Sequence, residues 1–341
     1  MNINNPLWGD KPYYSLNEYC KANYHEKLYK IALDAGFTCP NRDGTLDTRG
    51  CIFCSAGGSG EFAVKTLDKA SVMSSEKTVK EQETILPSKS VDEQIKEALS
   101  VFGNKKTGSR YIAYFQAYTN TYAPVSYLKQ IYTQALSHPD IAGISVATRP
   151  DCLSDECIFL LTDLKQRYPD KFIWIELGLQ TMHDTTAVFI RRGYPLSVFE
   201  QAMEKLTACE IAVIIHVILG LPSETDDMQY ETISYLNRFR PFGIKLQLLH
   251  ILKETDLAEY YLNDSNTFHP LTKEHYLNLL IGCIERLAPD IVIHRLTGDG
   301  PKQQLIAPLW SLNKKDVLNT LHKQMRKQHS FQGKLYFDHN K

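Results

Sequence analysis

Apolar and β-branched residues gather in six short runs: Leu28–Leu33, Tyr111–Phe115, Gly143–Ala147, Phe172–Leu177, Ile211–Leu219 and Ile244–Leu249. Each has the length and composition of a buried strand. Between them the apolar positions recur at helical spacing. Ser90-Val91-Asp92-Glu93 reads as a capping box, followed by Val91, Ile95, Ala98, Leu99 and Phe102 on one helix face. Pro124 and Pro195 open two further helices, and Ser154 and Ser223 cap two more. Strands alternating with helices predict a parallel sheet with right-handed crossovers. An open doubly wound sheet and a partial barrel satisfy that pattern equally. Gln116, Thr148-Arg149, Gln180, Gly220 and Gln247 fall at or just after strand C-terminal ends, where the βα loops of barrels build active sites.

The rhythm changes after about residue 265. A helix over Thr272–Leu287, a short strand over Ile291–His294, a Gly/Pro loop and a last helix near Lys314–Lys327 predict a C-terminal α/β extension. The division is an N-terminal segment over 1–22, a core over 23–265 and the extension over 266–341. Residues 65–87 are polar, poor in aromatics and read as a surface loop.

Composition narrows the class. With 43% hydrophobic and 23% charged residues, the 341-residue chain is neither disordered nor a disulfide miniprotein. A net charge of -1 leaves no global polyanion footprint, so any nucleic-acid contact must be a local patch. One such bias exists: Ser311–Lys341 holds seven Lys/Arg against two Asp/Glu. The longest apolar run, Ile211–Leu221, is broken by His216 and too short to span a bilayer, and the first residues do not read as a signal peptide. The expectation is a cytoplasmic protein with no membrane partner.

Three of the eight cysteines crowd into one stretch, Cys39-Pro-Asn-Arg-Asp-Gly-Thr-Leu-Asp-Thr-Arg-Gly-Cys51-Ile-Phe-Cys54, directly after the first strand. Three thiolates on one loop can hold three irons of a 4Fe–4S cube and leave the fourth iron open. Structural zinc is the alternative. It needs a fourth ligand, for which Cys20 and His25 are candidates, but no second C-x2-C or H-x-H pair is present. The dispersed Cys152, Cys157, Cys209 and Cys283 read as small apolar residues, and His216 reads as a core histidine.

Several stretches carry a more specific resemblance. They are Asp34-Ala-Gly-Phe-Thr-Cys-Pro-Asn-Arg-Asp-Gly44, Tyr114–Pro124, Ala147-Thr-Arg-Pro-Asp-Cys152, Glu176-Leu-Gly-Leu-Gln180, Arg191-Arg-Gly-Tyr194 and Gly220-Leu-Pro-Ser-Glu-Thr225. His294-Arg-Leu-Thr-Gly-Asp-Gly-Pro301 and Ala307-Pro-Leu-Trp-Ser311 complete the set. In this order they resemble a radical S-adenosylmethionine (SAM) enzyme of the YhcC/YtqA group, related to the radical SAM domain of the Elongator catalytic subunit. The resemblance implies a partial (β/α)6 TIM-like barrel with the C-terminal extension packed on it.

It also implies chemistry. Cys39, Cys51 and Cys54 would ligate one 4Fe–4S cluster with SAM on the fourth iron; Phe53 would lie against adenine. Gln116 stands where a glycine-rich motif usually faces the methionyl amine, Glu176 resembles a residue facing ribose or amine, and Gln180, Arg192 and Arg149 are further SAM candidates. The implied reaction is reductive cleavage of SAM to a 5′-deoxyadenosyl radical, fed by an electron donor such as flavodoxin or ferredoxin. The implied substrate is tRNA, at the C5 side chain of a wobble uridine, by processing of a carboxymethylaminomethyl group. No acetyltransferase domain is expected after residue 341. Candidate phosphate contacts are Lys314, Lys315, Lys323, Arg326 and Lys327, with Arg42 and Arg49 beside the cysteine loop. Radical oxidation of a small metabolite is a second reading, and a zinc-stabilised RNA-binding module without catalysis a third.

Overall fold

The computed structural model describes residues 5, 7–58, 89–102, 108–263, 268–298 and 300–337. The loop expected over 65–87 lies outside them. All six expected strands form: β1 (Tyr29–Leu33), β2 (Tyr111–Phe115), β3 (Ile141–Thr148), β4 (Phe172–Gln180), β5 (Ala212–Leu219) and β6 (Gly243–Leu248). β4 runs three residues past its expected end, to Gln180, because alternating burial continues through Gly178 and Leu179. The short strand assigned to the extension, β8 (Val292–Arg295), pairs parallel with β6 and joins the main sheet. Hydrogen bonding orders that sheet β1-β2-β3-β4-β5-β6-β8. A small antiparallel pair, β7 (Ile251–Leu252) with β9 (Leu305–Ala307), is an addition the periodicity does not show.

The helices start where side chains can satisfy their free N–H groups. At α2 (Val91–Phe102), the Ser90 N–H donates to Glu93 Oε2 at 2.7 Å and the Glu93 N–H to Ser90 Oγ at 3.3 Å, the reciprocal pair of a capping box. Pro124 precedes α3 (Val125–Ser137), Ser154 caps α4 (Asp155–Arg167), and Pro195 precedes α6 (Leu196–Ala208). The cap expected at Ser223 sits instead at Thr225, which accepts from Met228 N ahead of α7 (Asp226–Asn237). Ser223 is in a turn with φ +68°. Three short helices escape the sequence pattern: α1 (Leu16–Tyr24), α5 (Asp184–Phe189) and α8 (Asp256–Asn263). α9 (Lys273–Arg286) and α10 (Lys314–Lys327) form as expected.

Contacts divide the chain into two units: Leu28–Thr48 with Gly57–Ile175, and Met1–Lys27 with Arg49–Ala56 and Glu176–Lys341. In the first, β1, β2 and β3 pair in parallel, Tyr29 opposite Tyr111 and Ile112 opposite Gly143. In the second, β5 pairs with β6 and β6 with β8, His216 lying opposite Lys245 and Lys245 opposite Arg295. Here the N-terminal segment adds Ser15 as a single bridge to Ile293.

Candidate functional site

In the first unit the chain leaves β1 into the loop that carries Cys39. Gln94, fully buried on α2, clamps the loop's start: it accepts from Asp34 N at 3.0 Å and donates to Asp34 O at 2.7 Å. Tyr127 donates its hydroxyl to Ala35 O, and Thr119 N donates to Thr38 O. Cys39 O accepts from Arg42 N and Asp43 N, so the turn after it is closed by its own backbone while the thiol remains available. The βα loop after β2 is equally fixed. Tyr118 N donates to Gly58 O at 2.9 Å, and a Cβ on Gly58 would meet the Tyr118 ring at 2.3 Å, so only glycine permits this approach. Arg149 is buried and makes a two-pronged ion pair with Asp151, at 2.9 and 2.7 Å. Burial, and then Asp151, push the Cys152 thiol up; Cys39 adds to the shift, placing the two thiols within electrostatic reach.

In the second unit Cys51-Ile-Phe-Cys54 is a turn closed by Cys54 N donating to Cys51 O at 2.9 Å. Ile52 anchors it from both sides: its N–H donates to Ile190 O, and its carbonyl accepts from Leu257 N at 2.8 Å. Ile52 is buried among Ile190, Ile218, Leu221 and Leu257, with Phe53 packed against that cluster. The Cys51 thiol lies 3.5 Å from Arg191 O. Below the turn, Arg49 and Arg191 converge on Asp256. Burial alone would raise that carboxyl, but the two guanidiniums hold it below the ordinary carboxylate range.

A second feature of this unit is a polar row on one sheet face. Glu176 of β4 is fully buried; it accepts from the Lys245 ammonium and from His216 Nε2, the latter at 2.7 Å. Gln247 Nε2 lies 3.4 Å from His216 Nδ1. Burial, and then Lys245, lower the His216 pKa to about 4, so the imidazole is neutral at pH 7. With Nε2 donating to Glu176, the tautomer leaves Nδ1 as the acceptor. Lys245 and Arg295 are absent from the sequence-based candidates. The signal for Lys245 is a period-two alternation of polar with apolar residues in Lys245-Leu-Gln247-Leu; Arg295 carries no such signal.

The expected SAM residues thus have distinct surroundings. Glu176 is bound to Lys245 and His216. Arg192 is buried and donates to the carbonyls of Leu179, Thr181 and Tyr194, supporting the chain after β4. Gln180 ends β4 at φ +68°, costly for a residue with a side chain, and its Oε1 is buried with no partner among the described residues. Gln116 directly follows β2 and is half-buried.

The residues fit a cluster ligand set. Cys39, Cys51 and Cys54 are in no disulfide and are of intermediate exposure on turns, whereas Cys20, Cys157 and Cys283 are buried; burial pushes Cys157 up to about 12. Cys152 and Cys209 are also only partly buried, unlike the apolar role assigned to them from sequence. Among the described residues no three His, Cys, Asp or Glu side chains surround one point. A cube does not require that, since each thiolate takes a different iron. Nor is any described helix long and apolar enough to cross a membrane.

Comparison with known proteins identifies the family. The Radical SAM superfamily model matches residues 48–236, and the Radical_SAM C-terminal domain model matches 241–327. The first match begins after Cys39. YtqA of Bacillus subtilis (strain 168) is 38% identical over 96% of this chain and 94% of its own length. YhcC of Escherichia coli (strain K12) is 32% identical over 85% of each chain. Among solved structures, the archaeal Methanocaldococcus infernus Elp3 superposes with a TM-score of 0.60 at 13% identity, covering 89% of this chain. The chain spans 64% of that structure's length. At that identity the likeness shows the fold, a radical SAM partial barrel with a C-terminal extension. The chain therefore belongs to the radical SAM superfamily and shares a group with YtqA and YhcC, and its cofactors are those of the family, one 4Fe–4S cluster and SAM.

Proposed function

We propose that this radical SAM enzyme remodels the C5 side chain of a tRNA wobble uridine, processing a carboxymethylaminomethyl group. The observation that carries the tRNA partner is α10, whose buried side is Val317, Leu321 and Met325 and whose opposite side exposes Lys315, Lys323, Arg326 and Lys327. A basic stripe on an otherwise neutral chain is the local footprint that phosphate contacts need. Arg49, another candidate phosphate contact, is instead paired with Asp256.

When bound, the cluster and SAM supply a carbon-centred radical on reduction by a flavodoxin- or ferredoxin-type donor. This chain's residues hold and orient. Cys39, Cys51 and Cys54 are the cluster ligands, and the backbone bonds at Ile52 and Thr38 fix the turns that present them. In this reading Phe53, Gln116 and Gln180 face SAM, and Arg149, Glu176 and Arg192 support that set. Gln180 offers its buried, unmatched Oε1 as an acceptor. Arg149, Glu176 and Arg192 act by fixing neighbouring groups and backbone.

Two measurements test this. Anaerobically reconstituted protein should bind about four irons, with Cys39→Ala, Cys51→Ala or Cys54→Ala each abolishing the visible absorbance and Cys209→Ala leaving it intact. Nucleosides from tRNA of deletion cells should retain the carboxymethylaminomethyl side chain that wild-type cells process. An unchanged nucleoside profile would remove the tRNA reading and leave oxidation of a small metabolite.

A further inference from the structure

The Cys51–Cys54 turn is held by α5 and α8, and these two helices carry an apolar patch on their outer side. Val188 is 78% exposed and Phe189 39%, and the Phe189 ring meets Tyr260 of α8 edge-on, with 5.3 Å between centroids. Apolar residues scattered singly over a surface are ordinary, but adjoining ones with an aromatic contact mark a place where another molecule docks. Tyr260 in turn packs on the buried group that contains Ile52, Ile190 and Leu257.

Main chain couples this patch to a cysteine of the turn. Arg191 N donates to Val188 O at 3.0 Å, and Arg191 O lies 3.5 Å from the Cys51 thiol. One hydrogen bond and one residue thus separate Val188 from Cys51. Ile52 N donates to Ile190 O at 3.2 Å and Leu257 N to Ile52 O at 2.8 Å, so α5 and α8 both grip the turn. An electron crosses efficiently only short, well-packed separations, and this one is short and packed. The surrounding charges indicate the kind of molecule that fits. Asp184, one turn before Val188 on α5, has a side chain 70% exposed, and exposed Glu259 precedes Tyr260. Arg49, two residues before Cys51, is 64% exposed and paired with Asp256. An apolar centre with a rim of both signs suits a folded protein, whereas an RNA backbone offers phosphate alone.

We propose that Val188, Phe189 and Tyr260 form the docking surface for the one-electron carrier protein that reduces the cluster. The proposal rests on the reading in which Cys51 and Cys54 are cluster ligands. The carrier sets the exposed edge of its cofactor against Val188 and Phe189. It is oxidised by one electron and the cluster is reduced by one, with no bond formed or broken. A patch this small matches a contact that must part after each transfer, since redox encounters bury less than about 1,200 Å².

The test mixes the reconstituted full chain with reduced flavodoxin, with a reduced ferredoxin and with dithionite, and follows the loss of cluster absorbance by stopped flow over a range of carrier concentrations. Val188→Glu puts a carboxylate in the middle of the patch at a position open enough to leave folding intact. It should raise the half-saturating concentration of at least one carrier about tenfold, with the limiting rate and the dithionite rate unchanged. Phe159→Glu, on α4 and 75% exposed, is the control and should change none of the three. Wild-type behaviour of Val188→Glu with both carriers, failure of either carrier to reduce the wild type, or an equal slowing with dithionite overturns the docking surface. Unchanged carrier kinetics together with weaker binding of an anticodon stem-loop overturns it too and gives the patch to RNA. If Cys51→Ala and Cys54→Ala retain the cluster while Val188→Glu still weakens a carrier, the ligand reading fails and the docking surface stands.

Discussion

Lys245 and Glu176 form an ion pair with almost no solvent access, inside strands that are otherwise mostly apolar. Burying both charges is expensive, and removing one leaves the other uncompensated. Lys245→Met should therefore cost about 3–5 kcal/mol in urea unfolding, and adding Glu176→Gln should recover part of it. His216 gives a pH dependence with a definite sign. Its folded pKa of about 4 lies below the ordinary histidine value, so the unfolded chain takes up the proton first as pH falls. Stability should be full above about pH 6.5 and decline toward pH 4 by about 1.4 kcal/mol per pH unit for this group. His216→Gln should flatten the decline in unfolding curves measured at pH 7.5 and 5; a steeper decline would contradict a neutral His216. Glu176 is legible in the sequence because a carboxylate in an apolar strand demands a partner. Its partner is not, because Lys245 lies 69 residues away and only strand pairing brings them together.

Helix starts are legible when the capping residue stands directly before an apolar-periodic run, as at Ser90 and Ser154. Ser223 and Thr225 compete for one helix, and the choice depends on the turn from Gly220, at φ +86°, which leaves Ser223 left-handed and Thr225 extended. Thr225→Ala should then cost about 1 kcal/mol. Ser223→Gly should be neutral or stabilising by about 0.5 kcal/mol, since glycine accepts positive φ without strain. Equal losses at the two positions in thermal unfolding would put the cap back at Ser223. α5 and α8 are missed for a different reason: at six and eight residues they are too short for a helical period to show, and tertiary contacts hold them. β8 is legible as a strand but not as a seventh member of the sheet. Four residues say nothing about their neighbour, and the pairing with β6 is decided by packing.

For the whole molecule, the neutral charge balance hides a polarised α10. Replacing Lys323, Arg326 and Lys327 together by Ala should weaken tRNA binding and flatten its log–log salt slope by up to about three units, one per phosphate contact. Filter binding at several salt concentrations measures this, and superimposable curves would take α10 out of the interface. The family is legible because its motifs run in order along nearly the full chain; the two-unit division is not, because residues 49–56 group with a partner that begins at Glu176. The N-terminal segment is sealed in a similar long-range way. Buried Gln332 accepts from Tyr14 N through its side chain and donates from it to Ala288 O and Ile291 O, while its backbone N–H reaches Pro12 O. Trp8 and Tyr14 pack on Val292 beside it. During synthesis Trp8 and Tyr14 thus wait nearly 280 residues for Val292, on which they pack. Until then these rings are adhesive surface on the nascent chain, and a stop codon a few positions before Gln332 would permanently remove the partner of Tyr14 N and Pro12 O.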